Sequence, residues 1–68
     1  MFIEFGEMTV NTDYIISIVP LVRSYGDQEI FIISMKTTKG EITYSYKTDD
    51  LLKEGFIKLR NLLLTVGN

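Results

Sequence analysis

The stretch that most constrains this chain is its last third, residues 48–66, TDDLLKEGFIKLRNLLLTV. Placed at about 100° per residue, its apolar side chains gather into one stripe roughly 140° wide. The stripe holds Leu51, Leu52, Phe56, Leu59, Leu62, Leu63 and Val66. A stripe of that width needs a sheet beneath it rather than a single partner helix. Ile57 and Leu64 fall outside it, on the far side with Lys53, Arg60 and Asn61. Thr48 is placed to cap the first turn, and Asp49 and Asp50 follow where the helix dipole favours negative charge. Gly55 costs about 1 kcal/mol in a helix interior and implies a close approach to whatever lies below. Gly67 is a natural stop.

What precedes this helix reads as strands. Residues 2–10 form two short extended pieces around Gly6-Glu7, a tight hairpin or one strand bent by a glycine bulge. Asn11-Thr12-Asp13 is a turn. Residues 14–23, YIISIVPLVR, are apolar on both faces, with Ile16, Ile18 and Val22 opposite Ile15, Val19 and Leu21. Pro20 cannot donate to a ladder, so this strand is at an edge or bulged there, and a kink is expected at Pro20. Residues 24–28 read as a loop, and residues 29–37 as a second strand apolar on both faces. In that strand Ile30 and Ile32 oppose Phe31, Ile33 and Met35. Thr38-Lys39-Gly40 turns the chain into residues 41–47, where Ile42, Tyr44 and Tyr46 face in and Glu41, Thr43, Ser45 and Lys47 face out. The expected fold is α+β. It is a single domain, residues 1–68, built on an antiparallel four-stranded meander, flat or curled into a half-barrel, with the C-terminal helix packed on one face.

A domain of this size buries only about 60% of the surface its unfolded chain exposes. With neither Cys nor His, disulfides and zinc cannot supplement the core, and a 46% hydrophobic content points to a partner chain instead. One helix covers one face of a sheet whose strands are apolar on two. The second face, around Phe31, Ile33 and Met35, and the outer helix residues Ile57 and Leu64 are therefore the expected interface of a homo-oligomer. The N-terminus lacks a basic n-region, and no apolar run reaches the roughly 20 residues of a membrane span. The expectation is a cytoplasmic protein without membrane contact.

The commonest general base and the best nucleophile are both missing, and Ser17, Ser34 and Ser45 lie in strands with no base near them in sequence. Asp27 and Glu29 lack the spacing of a calcium loop. Neither a phosphate-cradling nor a dinucleotide-binding glycine motif is present. No enzyme activity, cofactor, metal or small-molecule substrate is expected. The net charge is −2, with Glu4, Glu7 and Asp13 unopposed by any Lys or Arg in residues 1–22.

Three readings follow. The first is a non-enzymatic protein-interaction module, a small homodimeric regulator or adaptor. The second is an inhibitor of a host nucleic-acid enzyme, of the kind phage and mobile elements encode, presenting Glu4, Glu7 and Asp13 as a phosphate mimic. The third is a single-stranded DNA or RNA binder using Lys36, Lys39 and Lys47 with Tyr44 and Tyr46; the small acid excess opposes it. The run VNTDYIISI, a further strand, the Thr-x-x-Gly turn and the closing helix together resemble the layout of the small FlbD/SwrD-type proteins of flagellated bacteria. That resemblance carries no function to any residue.

Overall fold

The computed structural model describes residues 1–66, and it is α+β as expected, with five strands rather than four. Strands β1 (Phe2–Phe5) and β2 (Met8–Asn11) form a hairpin that is a separate sheet. A short 3₁₀ turn over Thr12–Tyr14 leads into β3 (Ile15–Tyr25), β4 (Gln28–Thr37) and β5 (Gly40–Tyr46), an antiparallel meander with β4 central. Helix α1 (Asp49–Val66) closes the fold. The helix stop expected at Gly67, like the side chain of Val66, lies outside the described residues.

The turns are set by their glycines. Phe5 pairs with Met8 and Tyr25 with Gln28, so both hairpins close through two residues. In each the first of the two is a glycine at positive φ, Gly6 at 63° and Gly26 at 61°. Positive φ at that position alone is the type II′ arrangement, whose twist matches the strands it joins. The expected loop 24–28 therefore shrinks to Gly26-Asp27. The first hairpin is closed at its base by Thr12, whose amide (2.9 Å) and hydroxyl (3.0 Å) both donate to the Met1 carbonyl.

Strand β3 is an edge strand, which suits Pro20. Tyr25 and Gln28 flank a two-residue turn and exchange hydrogen bonds, and such pairs alternate along an antiparallel ladder. Pro20, opposite Ile33, falls on a pair that exchanges none, so its missing N–H points away from β4. The expected kink at Pro20 is absent. The irregularity is a bulge between Ile15 and Ser17, where three residues oppose Thr37 and Lys36. It puts Ile15 on the same side as Ile18, against the core, and leaves Ile16 66% exposed. The strict alternation expected for residues 14–23 fails there for that reason.

One face of the meander forms the core. Its rows, read across β3, β4 and β5, are Ile18–Met35–Ile42, Pro20–Ile33–Tyr44 and Val22–Phe31–Tyr46. Leu52 and Leu59 of α1 and Ile3, Phe5 and Val10 of the first hairpin are buried against it. Ile33 and Met35, on the central strand and under the helix, are 0% exposed. At about 3.3 Å per residue the 11 residues of β3 run about 36 Å, whereas the 18 of α1 run about 27 Å. The β3–β4 hairpin therefore projects past the helix, and Val22 and Tyr25 near its tip are exposed.

Thr48 caps α1, its hydroxyl accepting from the Leu51 amide at 3.2 Å and its carbonyl from the Leu52 amide at 3.1 Å. Gly55 makes the close approach its position implies. A Cβ there would stand 2.7 Å from the Tyr46 hydroxyl and 2.9 Å from the ring. Burial first, and the neighbouring Tyr44 second, hold the Tyr46 phenol above its ordinary value of 10.0. The native state thus keeps that proton more tightly than the unfolded chain does. This contribution to stability is fully present below pH about 10 and is lost as pH rises through the raised value. Urea titrations across the alkaline range should show stability falling less steeply for Tyr46→Phe than for the wild type; parallel curves would overturn the assignment.

Candidate functional site

The same register that buries Ile33 and Met35 turns their neighbours outward. On the reverse of the meander the rows are Ser17–Lys36–Glu41, Val19–Ser34–Thr43 and Leu21–Ile32–Ser45, with Arg23 opposite Ile30 beyond them. Val19, Leu21, Ile30 and Ile32 form one aliphatic cluster across β3 and β4, while β5 contributes polar side chains. Helix α1 and the first hairpin both pack on the opposite side, so this face has no covering layer among the described residues. Val19 is 44% exposed, and Leu21, Ile30 and Ile32 are half-buried by one another.

This corrects the expected interface. Phe31, Ile33 and Met35, expected on the uncovered face, are on the covered one, and Ile33 and Met35 are fully buried. The physical reason is the β4–β5 turn. Thr37 pairs with Gly40 across two residues, Thr38 and Lys39, which sets Ile42, Tyr44 and Tyr46 beside Met35, Ile33 and Phe31. The Thr37 hydroxyl fixes that turn, donating to the Gly40 carbonyl at 2.7 Å and accepting from the Lys39 amide at 3.1 Å. The inward tyrosines and Ile42 were thus a signal for the covered face. Using it requires the turn length, because one extra loop residue reverses the answer.

Ile57 and Leu64 are where the helical wheel puts them, 53% and 62% exposed. Leu64, Leu63 and Arg60 line an apolar groove of about 390 Å³ with Ile15, Ile16 and Ile18 of β3. Ile16 and Leu64 are thereby brought into one patch, which the sequence does not reveal because the bulge creates it. A second groove, about 440 Å³, lies between the first hairpin and the β4–β5 turn, with Phe2, Met8 and Tyr14 at its mouth. The Lys39 ammonium sits 4.6 Å above the Tyr14 ring there, a cation–π contact.

The acidic set does not come together. Glu4 and Glu7 share a shallow cleft at the tip of the first hairpin, whereas Asp13 follows the other end of that hairpin, in the 3₁₀ turn. The lysine–tyrosine set is divided as well. Lys36 belongs to the outer face of the meander by register and Tyr44 and Tyr46 to the inner one, while Lys39 lies in the β4–β5 turn and Lys47 follows the end of β5. The two rings meet edge to face at 5.0 Å, and Phe5 lies 6.2 Å from Tyr44.

Among the described residues no group of three or more His, Cys, Asp or Glu side chains is placed to hold a metal, and no helix is long and apolar enough to cross a membrane. The fold and its surfaces define a small α+β domain with a half-covered sheet. No family model, curated protein or solved structure matches the chain.

Proposed function

We propose that this chain is a non-enzymatic protein-interaction module that works as a homodimer. The observation that carries the interaction-module reading is the open sheet face, with Val19, Leu21, Ile30 and Ile32 clustered on it and no layer above it among the described residues; the exposed helix-flank residues Ile16, Ile57 and Leu64 support the homodimer. Aliphatic surface of this kind contributes about 1.5–3 kcal/mol per side chain when buried, a large term for a domain so small. The absence of His and Cys from the sequence fits a binding role better than a catalytic one.

Self-association is assigned to the helix flank rather than to the sheet. An isologous interface must match itself, so its patch needs balanced charge or none. The groove lined by Ile16 and Leu64 also holds Arg60, and Asp13 follows Thr12 of its lining. The outer sheet face, with Arg23 and Lys36 against Glu41, carries one cation in excess and would meet its own copy with like net charge.

Light scattering of the wild type at tens of micromolar should give a dimer whose melting temperature rises with concentration. Ile57→Lys with Leu64→Lys should return monomer and abolish that dependence. As surface changes on a monomer these substitutions cost at most about 0.5 kcal/mol each. A wild type that scatters as a monomer, or a double variant that stays dimeric, overturns this assignment.

A further inference from the structure

We propose that the open face of the three-stranded sheet docks an amphipathic helix of another protein, one whose apolar stripe is bordered by Asp and Glu side chains. The inference rests on the interaction-module reading and names the partner's chemistry.

The shape of the cluster suits a helix. Val19 and Leu21 on β3 and Ile30 and Ile32 on β4 occupy two adjacent strands. Strands lie about 4.8 Å apart, so the cluster is about 10 Å across, the width of one helix. It runs along the strands, as the core does on the other side under α1. The remaining third of the face is polar, with Glu41, Thr43 and Ser45 from β5.

The charge decides the chemistry of the borders. Arg23 and Lys36 stand at the two ends of the aliphatic cluster, while Glu41 is the one carboxylate paired across this face by register, cross-strand from Lys36. Both ion pairs of the described residues lie on α1, Lys53 with Asp49 and Lys58 with Glu54, so none of these cations is neutralised in that way. The chain as a whole is acidic, at −2. A cationic rim on an acidic protein steers toward a partner with acidic borders and away from a second copy of itself. The same net charge opposes adsorption to an anionic bilayer.

The test uses fluorescein-labelled peptides of about 18 residues. Each carries Leu at i, i+3, i+4 and i+7 spacing, bordered by Glu in one and by Lys in the other. In anisotropy titrations of the whole protein at low salt, the Glu-bordered peptide should bind at least about tenfold more tightly. Added salt should erode that preference. Arg23→Glu with Lys36→Glu, exposed changes that leave the core alone, should invert it; Leu21→Ser with Ile32→Ser should abolish binding of both peptides. Circular dichroism verifies that each variant is folded. No binding of either peptide, equal binding of both, or binding only to phosphatidylserine vesicles overturns the proposal. Light scattering reads the helix flank independently. A wild-type dimer that ignores both peptides therefore sinks this inference and leaves self-association standing.

Discussion

Ile33→Lys should leave the chain unfolded, whereas Ile32→Lys, its immediate neighbour, should fold and melt within a few degrees of the wild type. Ile33 is 0% exposed under the helix, and Ile32 faces out. A lysine at position 33 must bury an unpaired charge, among the costliest of single changes. The milder Ile33→Ala and Met35→Ala should each cost about 2–5 kcal/mol, the lost transfer energy plus the cavity left behind. A domain of this length has a total stability of only about 3–10 kcal/mol, so even these approach the limit of folding. Urea unfolding followed by circular dichroism checks all four. If Ile32→Lys unfolds the protein as Ile33→Lys does, the outer face is not open and the dock proposed for it is lost.

The second large effect is expected at Gly6. Its φ is 63°, and a Cβ there would stand 2.3 Å from the Tyr44 ring. Gly6→Ala should therefore combine a left-handed backbone penalty of about 1–2 kcal/mol with an overpacking term of about 1–3 kcal/mol. Gly26 separates the two, because its φ is 61° and nothing lies within 4 Å of its Cβ position. Gly26→Ala should show the backbone penalty alone. The difference between the variants measures how firmly the first hairpin is pressed onto the meander. Adding Tyr44→Ala to Gly6→Ala should recover part of the loss, giving a double-mutant coupling of opposite sign to the single costs. Equal midpoints for Gly6→Ala and Gly26→Ala would mean that the hairpin is not seated on Tyr44.

Much of this architecture is determined by the sequence alone, because it rests on local rules. The helix follows from the spacing of Leu52, Phe56, Leu59 and Leu63 with Thr48 before it. The hairpin from residue 29 to 47 follows from period-two alternation around a Thr-x-x-Gly turn. That one helix leaves one face of a two-faced sheet uncovered is arithmetic on the apolar pattern. Ile57 and Leu64 were legible as exposed because a wheel needs no partner to be drawn.

What only the tertiary structure decided is which residues lie on which side. Whether Ile33 or Ile32 faces the helix depends on one residue of turn length, and a slip of one residue exchanges every side chain between faces. The bulge at Ile15–Ser17 is invisible in residues 15–22, where every residue but Ser17 is apolar, since any register there looks equally good. The first hairpin separates from the meander because Gly6 lets it seat on Tyr44, a contact across most of the chain's length. The acidic residues divide between the two ends of that hairpin for a related reason, since a shared sign in one stretch of sequence does not place side chains on one surface. Periodicity reports what each segment must bury; only packing reports against what.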